Sequence, residues 1–221
     1  ELLMRIGFFG DSFCENNREG FLGLTKTIES YIDLTVDHYD AKLTNTGVGG
    51  SSHWDLILNQ FMPNDNLPDV CIFLWTDHSR LYHKKVRQLR LNSAIEYTES
   101  FKINPTYSFG MHGKVWKAAE QFYKHLYDDK KSKIEYTGSL LYFDNLIKDI
   151  DKKFIHIWSF EQPDNFAWTT GAEIRPGLAS KFNTEDIAPN HLPHQEDNIK
   201  IFKAIQYCID NYSNGLTHEI C

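Results

Sequence analysis

A serine follows directly on a short apolar run near the start of the chain. Residues 4–9 read MRIGFF, the pattern of a buried strand, and Gly10, Asp11 and Ser12 come next. At a turn between a strand and a helix, a serine hydroxyl is exposed and backbone N–H groups converge on a site for an anion. Ser12 is therefore a candidate nucleophile, although the tripeptide Gly-Asp-Ser by itself is also an ordinary turn or helix cap.

A serine hydroxyl needs a base at neutral pH, and two histidines near the C-terminus are candidates for that role. His191 and His194 lie in the segment PNHLPH at residues 189–194, directly before the last predicted helix. From this loop either imidazole can reach Ser12 across the top of a sheet. A structural or solvent-exposed histidine is the simpler interpretation of each one alone. A metal site built on this pair lacks a third ligand in the sequence.

Three segments together resemble the SGNH/GDSL hydrolase family. The sequence GDSF at 10–13 resembles the first motif block, and NTGVGGSS at 45–52 resembles the second. The sequence NHLP at 190–193 is similar to the histidine block, which precedes the final helix of the family. The resemblance follows the chain in order and spacing, while most of the middle is unmatched.

The resemblance implies a fold, an activity and residue roles. The fold would be a flavodoxin-like three-layer α/β/α sandwich, and the activity would be hydrolysis of acyl esters without a metal or organic cofactor. Ser12 would be the nucleophile and His191 the base, because His191 matches the pattern of histidine, apolar residue and helix start. His194 is the alternative base, otherwise facing solvent or substrate. The N–H groups of Ser12 and Gly50 would form the oxyanion hole.

The end of the third predicted strand departs from the family's third block, Gly-x-Asn-Asp. Residues 75–80 read WTDHSR and contain no asparagine. Thr76 is the candidate to donate a hydrogen bond to the oxyanion instead, and Arg80 would add positive potential. Loss of one such donor costs about 2.7–4 kcal/mol of transition-state stabilisation, which slows an esterase without abolishing turnover. Asp77, Arg80 and His53 are the candidates for contact with a substrate.

The acid of the triad is also displaced. The family places an aspartate three residues before its histidine, and Ala188 occupies that position relative to His191. Asp186 is the nearest carboxylate and Glu185 the second, and a surface charge is the alternative interpretation of either. A Ser-His dyad oriented by a backbone carbonyl is a further possibility. Asp11 belongs to the first block and is expected to hold the turn rather than to act as the acid.

Strands and helices must alternate along the chain to position these segments. Strands are predicted at 4–9, 34–39, 69–75 and 153–159, and helices at 20–32, 54–61, 93–101, 112–127, 132–150 and 195–212. The last helix should bury Ile199, Phe202, Ile205 and Ile209. This alternation predicts one α/β domain over residues 1–221 with a doubly wound parallel sheet and a site beyond its carboxyl edge. Residues 161–193 are predicted as a polar loop, in which Phe166 and Trp168 form either a cleft rim or a satellite core.

Composition excludes several classes of protein. The 221 residues carry 23 Lys+Arg against 30 Asp+Glu, and the net charge of −7 argues against a nucleic-acid partner. Four cysteines are too few for a disulfide framework, and no zinc-binding spacing is present. No apolar run reaches the roughly 18 residues of a membrane span. The first residues do not read as a secretory leader, which favours a cytoplasmic protein or one whose leader has been removed.

The sequence thus predicts a serine hydrolase acting on a small-molecule or carbohydrate ester, with O-acetyl groups on carbohydrate as the specific expectation. That expectation comes from the resemblance and from the aromatic content of 14%. The missing asparagine and the displaced acid motivate an alternative, a non-catalytic binding or structural module on the same fold. An acyl transferase using the same residues is the third hypothesis. The oligomeric state does not follow from the sequence.

Overall fold

Six strands form one parallel sheet through the centre of the described structure. The computed structural model describes residues 3–14, 28–45, 47–84, 86, 113–164, 166–184 and 189–221. The strands are β1 (Arg5–Gly10), β2 (Lys42–Asn45), β3 (Val70–Trp75), β4 (Lys153–Trp158), β5 (Ala172–Arg175) and β6 (Thr217–Glu219). Their spatial order is β2-β1-β3-β4-β5-β6, and each neighbouring pair is parallel. The order of the first five strands is that of flavodoxin-like sheets.

Helices cover both faces of this sheet. They are α1 (Tyr31–His38), α2 (His53–Asp55, continued by a π-helical segment Leu56–Phe61), α3 (Gly113–His125), α4 (Asp129–Ile147), α5 (Leu178–Lys181) and α6 (Gln195–Asp210). On one face Phe8 packs in a core with Tyr31 of α1 and Ile205 of α6. On the other face Phe9 packs in a core with Phe143 of α4 and with the π-helical segment. The predicted three-layer α/β/α sandwich is confirmed. No helix in the described ranges is long and apolar enough to cross a bilayer.

The central strands are apolar along their whole length because both of their faces are covered. All six residues of β3, VCIFLW, are buried. Successive side chains of a strand point to opposite faces, so Ile72 and Leu74 join one core while Phe73 and Trp75 join the other. Full burial of each such side chain stabilises the fold by about 1.5–3 kcal/mol. The predicted strands at 4–9, 69–75 and 153–159 are confirmed as β1, β3 and β4.

The strand predicted over residues 34–39 is wrong, because this segment belongs to α1. Its run of Leu, Thr and Val resembles a strand, since β-branched residues favour sheets. A helix forms because the Ser30 hydroxyl accepts a hydrogen bond from the Asp33 N–H at 3.2 Å and caps the first turn. The edge strand β2 follows instead. Of the predicted helix over 20–32, residues 20–27 lie outside the described residues, and the next three residues are not helical.

The segment 161–193, predicted as a loop, contains β5 and α5. The strand escaped prediction because two of its four residues, Glu173 and Arg175, are charged. Their side chains pair with each other at 2.7 Å, which allows Glu173 to be buried. Phe166 and Trp168 are also buried and belong to the core that contains Phe9. They therefore form neither a cleft rim nor a separate satellite core.

The predicted helices over 112–127, 132–150 and 195–212 are confirmed as α3, α4 and α6, and the one predicted over 93–101 lies outside the described residues. The buried face of α6 differs from the predicted one. Ile205 and Ile209 are buried as expected, whereas Ile199 and Phe202 are only half-buried. The buried positions of α6 are Asn198, Ile201, Ala204, Ile205, Cys208 and Ile209. The buried face of α6 is rotated relative to the predicted one, and it includes a polar residue, Asn198, that an apolar pattern does not mark.

The strand order creates a crevice between β1 and β3. From β1 the chain first winds to β2 on one side and then to β3 on the other, so the helices that follow leave on opposite faces. In open parallel sheets, ligands bind beyond the carboxyl ends of the strands at this switch point. Gly10, the last residue of β1, is in register with Leu74 of β3. Ser12 and Thr76 each follow two residues later at this edge.

A buried histidine links the central strands to the aromatic core. The Trp75 indole N–H donates to Nδ1 of His156 at 3.1 Å, and Nε2 lies 3.1 Å from the Thr170 carbonyl oxygen. Because Nδ1 accepts, the neutral ring carries its proton on Nε2 and donates it to Thr170. The ring also stacks on Trp168, with centroids 3.7 Å apart. Complete burial lowers the pKa of His156 to about 3, partly opposed by the hydrogen bond to Thr170.

This histidine predicts a defined loss of stability in acid. The folded protein holds His156 neutral, whereas the same side chain in the unfolded protein takes up a proton near pH 6.5. The contribution of His156 to the unfolding free energy is therefore complete above that pH. Between pH 6.5 and about 3 it falls by about 1.4 kcal/mol per pH unit. We expect His156→Gln to destabilise the protein at pH 8 and to flatten the decline of its unfolding free energy between pH 6.5 and 4. Urea unfolding across this range measures both, and equal slopes in parent and variant would contradict the assignment.

Candidate active site

The turn after β1 presents Ser12 at the switch point. Ser12 begins a 3-10 turn, Ser12–Cys14, in which the Cys14 N–H donates to the Asp11 carbonyl at 3.1 Å. Gly10 precedes the turn, and a Cβ on it would lie 2.5 Å from the Leu74 carbonyl oxygen. Only a glycine lets the two strands approach this closely where the chain turns. The Ser12 side chain remains half-buried while the residues on either side of it are buried.

His191 lies against this serine. Its Nε2 is 2.6 Å from Ser12 Oγ, across 179 positions of sequence. This is within the range of about 2.6–3.2 Å in which an imidazole can take the proton of a hydroxyl. The Phe13 ring packs on the imidazole with centroids 4.8 Å apart. The two segments therefore meet as the sequence predicted, while the role of His191 as a base remains a prediction.

The histidine loop has an unusual backbone. Asn190 and His191 both have left-handed conformations, with φ of 52° and 61°. Asparagine and histidine enter this region more often than most residues do, but two consecutive left-handed residues are uncommon and the surrounding structure has to hold them. Residues in sparsely populated conformations cluster at functional sites, where the backbone aims a side chain in one direction. His194 is the N-cap residue of α6 and is exposed, so the loop turns one histidine inward and the other outward.

A buried asparagine holds this loop to two helices. The Asn198 amide donates to the carbonyl oxygens of Leu192 at 3.3 Å and His194 at 3.1 Å. Its Oδ1 accepts from the Tyr31 N–H, the first residue of α1, at 3.1 Å. Leu192 itself is fully buried in the core. Sequence reasoning missed Asn198, and the only signal was a polar residue on the side of α6 that faces the core.

The acid of the predicted triad lies outside the described residues. Asp186 and Glu185 both fall in the stretch 185–188, so their roles stay predictions. Asp11 is placed differently, within the nucleophile turn. Its Oδ1 accepts from the Phe13 N–H at 3.1 Å and from the Ser159 hydroxyl at 3.2 Å. Asp11 thus holds the turn, as the sequence led us to expect.

The glycine-rich segment packs directly on the serine turn. The Gly47 N–H donates to the Cys14 carbonyl at 2.9 Å, and the Val48 N–H donates to the Gly10 carbonyl at 3.0 Å. Gly50 is buried with a φ of 73°, a left-handed conformation that favours glycine. Between residues that the structure describes, neither the Ser12 N–H nor the Gly50 N–H has a backbone acceptor. Both N–H groups are therefore candidates for the predicted oxyanion hole, and that role remains a prediction.

Gln60, from the π-helical segment, fixes the same two turns. Its Oε1 accepts from the Gly10 N–H at 2.8 Å, and its amide group donates to the Gly10 carbonyl at 2.9 Å. The amide group also donates to the Ser51 hydroxyl at 3.0 Å. The Ser51 hydroxyl in turn contacts Asp55 at 2.6 Å. Sequence reasoning missed Gln60 because the only signal was a polar residue inside an apolar helical stretch.

The end of β3 contributes a buried hydroxyl. Thr76 is 3% exposed, and its Oγ1 has no hydrogen-bond partner in the described part of the chain. Its backbone carbonyl accepts from the Tyr136 hydroxyl at 2.8 Å. Asp77 is half-buried and its Oδ1 accepts from the Ser79 N–H at 2.5 Å, so it stabilises its own turn. A buried hydroxyl without a partner is uncommon in folded proteins and calls for an explanation.

Two residues predicted to contact a substrate lie inside the protein. Arg80 is 8% exposed, and its guanidinium contacts Asp11 and the Ser51 carbonyl. His53 is 6% exposed and packs edge-on against the Tyr136 ring at 4.8 Å between centroids. Burial, with a smaller contribution from His78, lowers the pKa of His53 to about 4. Both side chains point into the protein, which speaks against contact with a substrate. Such contact is not observed and remains a prediction.

Comparison with known proteins adds no relative. No family model matches the chain, and no curated protein or solved structure matches it either. The residue geometry is therefore the basis for any functional conclusion. Within the described ranges, no three His, Cys, Asp or Glu side chains form a group that could hold a metal ion.

Gly47 allows a test of the contact between the two turns. A Cβ there would lie 2.2 Å from Cys14 Sγ and 2.7 Å from the Asp11 carbonyl oxygen, and the carbonyl cannot move without its turn. We expect Gly47→Ala to lower the unfolding free energy by about 1–3 kcal/mol. Gly138→Ala, at an exposed helical position with nothing within 4 Å, is the matched control and should stabilise the protein by about 0.5–1 kcal/mol. Urea unfolding measures both, and a neutral Gly47→Ala would contradict the close packing.

Asn198 allows a similar test of the histidine loop. Asn198→Ala removes the side-chain partner of the Leu192 carbonyl and of the Tyr31 N–H in a buried region, while the His194 carbonyl keeps the Asn198 N–H. Each group left unsatisfied costs about 1–3 kcal/mol. The control is Asn211→Ala at the exposed C-cap of α6, where the amide donates to the Tyr207 carbonyl. That change should stay within about 0.5 kcal/mol. Thermal unfolding compares the two, and equal losses would show that Asn198 does not hold the loop.

Proposed function

We propose that this protein is a serine hydrolase that cleaves small acyl esters. The observation that carries the proposal is the distance of 2.6 Å between Ser12 Oγ and His191 Nε2 at the switch point of the sheet. Neither residue type is informative alone, but a hydroxyl and an imidazole brought together from opposite ends of the chain form a nucleophile and base pair. The left-handed backbone that aims His191 adds to the case.

In the proposed reaction, Ser12 Oγ attacks the ester carbonyl carbon while His191 Nε2 takes the hydroxyl proton. The tetrahedral intermediate collapses by breaking the bond to the alcohol oxygen, and His191 returns the proton to that leaving alcohol. Water then attacks the acyl-serine with His191 again acting as base, which releases the acid and restores Ser12. Each step moves one proton to or from His191 (from Ser12, to the leaving alcohol, from water, and back to Ser12), so the proposed sequence needs no cofactor.

The negative charge of the intermediate would rest on hydrogen-bond donors at the ends of β1 and β3. The N–H groups of Ser12 and Gly50 are two such donors, since neither has a backbone acceptor in the described structure. The Thr76 hydroxyl is the proposed third, because it is buried and unpartnered. A hydroxyl rotates more freely than an asparagine amide, so we expect weaker preorganisation than a three-donor site with asparagine.

Orientation of the His191 imidazole requires a partner for its other nitrogen. We propose Asp186 for this role, with Glu185 as the second choice and a backbone carbonyl as the third. All three satisfy the same chemical need, which is to hold the tautomer that leaves Nε2 free to accept the serine proton. A carboxylate would in addition stabilise the imidazolium that forms during the reaction.

On this proposal the chain is a divergent SGNH/GDSL hydrolase. Its blocks around Ser12, Gly50 and His191 occur in the family's order, whereas the third block and the acid position depart from the motifs and most of the middle of the chain is unmatched. An O-acetylated carbohydrate remains the proposed substrate on the strength of that likeness alone. The aromatic content supports it less than the sequence suggested, because residues such as Phe73, Phe143 and Trp168 fill the core.

The proposal is tested by replacing the nucleophile. With p-nitrophenyl acetate, we expect Ser12→Ala and His191→Gln each to reduce kcat by about 10³-fold or more, because both groups act in the same step. Ser180→Ala, at an exposed serine of α5, is the matched control and should leave kcat unchanged. A fluorophosphonate probe should label Ser12 of the parent protein, as judged by mass spectrometry of the peptide.

The possible outcomes separate the rival functions. Unchanged turnover in Ser12→Ala would exclude the mechanism. A parent protein that neither turns over the ester nor reacts with the probe would favour a non-catalytic module on the same fold. If an added alcohol or sugar raised the rate of acyl release and captured the acyl group, the protein would be an acyl transferase using the same residues.

A further inference from the structure

Arg80 connects the three segments that meet at the switch point. It follows β3, its Nη1 donates to the Ser51 carbonyl of the glycine-rich turn at 3.0 Å, and the same atom lies 3.4 Å from Asp11 Oδ2 in the serine turn. The guanidinium also lies over the Phe160 ring, with 5.4 Å from Cζ to the centroid. The side chains of Arg80 and Asp11 are 7% and 0% exposed, so their charges neutralise each other inside the protein.

The remaining contacts of Asp11 continue this link into the backbone beside the nucleophile. Asp11 Oδ1 accepts from the Phe13 N–H, which belongs to the 3-10 turn that begins at Ser12. A shift of the carboxylate would therefore move the turn that carries the Ser12 N–H. A shift of the Ser51 carbonyl would move the turn that carries the Gly50 N–H. Arg80 thus contacts one end of each proposed oxyanion donor segment.

We propose that Arg80 and Asp11 form a clamp, defined by these two side chains and the Ser51 carbonyl, that sets the distance between the two oxyanion donors. The inference rests on the proposed function and assigns Arg80 a positioning role in place of contact with a substrate. Preorganised donors stabilise a transition state only when they are held at the position that the oxyanion will occupy. A displacement of about 1 Å by a residue outside the chemistry can cost on the order of 10²-fold in rate.

The chemistry of arginine suits this role. Its planar guanidinium presents five donors in fixed directions, so one group can face a carboxylate and a carbonyl at the same time. Lysine carries the same charge on a flexible stem and cannot fix two acceptors in one plane. The Arg80 Nε has no partner among the described residues, which indicates that the group is held by its Nη1 contacts and by Phe160.

The chain provides a matched control at the opposite end of the same two strands. Arg5 at the start of β1 lies 3.4 Å from Asp69, directly before β3, and also donates to the Leu67 carbonyl at 2.8 Å. This pair therefore has the same residue types, the same distance and the same combination of carboxylate and carbonyl contacts. It lies at the amino edge of the sheet, away from the switch point. Arg5→Gln removes a link of the same chemistry, although a more exposed one (27% and 43% against 7% and 0%), without touching either donor turn.

The test compares Arg80→Gln, Arg80→Lys and Asp11→Asn with Arg5→Gln. We expect each of the first three to lower kcat for p-nitrophenyl acetate by on the order of 10–10²-fold with little change in KM, because the chemistry loses its geometry while binding does not. Arg5→Gln should leave kcat unchanged. Asp11→Asn keeps the oxygen that accepts from Phe13 and so remains informative if Arg80→Gln fails to fold.

Amide hydrogen exchange gives a second readout that does not depend on turnover. The Gly47 and Val48 N–H groups bond the two turns together, and we expect them to exchange about tenfold faster or more in Arg80→Gln. In Arg5→Gln the Asp69 N–H, which donates to the Arg5 carbonyl, should be the affected amide instead. Unchanged kcat and unchanged exchange at Gly47 and Val48 in all three clamp variants would overturn the clamp. A parent protein without Ser12-dependent turnover would remove the proposed function, and exchange at these two amides would then decide the clamp.

Discussion

The turn after β1 is subject to two opposed demands, and the structure around it follows from them. Its backbone and the Asp11 carboxylate are buried, while the proposed function requires the half-buried Ser12 hydroxyl to stay within reach of a ligand. Buried polar groups need partners, because each one left unpaired costs about 1–3 kcal/mol. Gln60 satisfies both polar groups of Gly10, and Ser159, Phe13 and Arg80 surround Asp11. The hydrogen bonds from Gln60, Ser159 and Phe13 offset these penalties and hold the turn that carries the serine, while Asp11 Oδ2 has the ion pair with Arg80 but no hydrogen bond among the described residues.

The opposite side of the site depends on how α6 docks. Among the described residues, the loop that carries His191 pairs with no strand of the sheet. The core beneath the loop therefore fixes the position of His191. Leu192 enters that core, and Asn198 joins the loop to the first residue of α1. The Tyr31 hydroxyl also donates to the Phe13 carbonyl, so α1 contacts the serine turn and, through Asn198, the histidine loop. The short helix α1 thereby helps to set the distance between the serine turn and the histidine loop.

Apolar runs and helical periodicity in the sequence predicted the elements whose structure depends mainly on their own residues. The apolar runs of β1, β3 and β4 are unambiguous because both faces of a central strand are covered. The α1 segment was misread because its β-branched run carries the same local signal as a strand, while the Ser30 cap and the packing of Tyr31 and Ile32 in the core favour a helix. The meeting of Ser12 and His191 was predicted from residue type, chain order and the family resemblance, and their chemical roles stay predictions. Gln60, Asn198 and the contacts of Arg80 were not predicted, since a buried polar residue acquires its meaning only from partners that lie far away in sequence.

The distribution of unsatisfied polar groups separates the site from the rest of the core. Among the described residues, the buried side-chain atoms without a hydrogen-bond partner belong to Asp11, His53, Thr76, Arg80, Trp168 and Arg175. Four of these six residues lie in or directly after the segments that meet at the ends of β1 and β3. The neighbouring network around His156 uses both ring nitrogens, as expected of a structural polar group. Under β4 both nitrogens of His156 have partners while the Trp168 indole N–H has none among the described residues. Beside Ser12 three unpartnered atoms, on Asp11, Thr76 and Arg80, cluster at the ends of β1 and β3, where the proposed function would place a ligand.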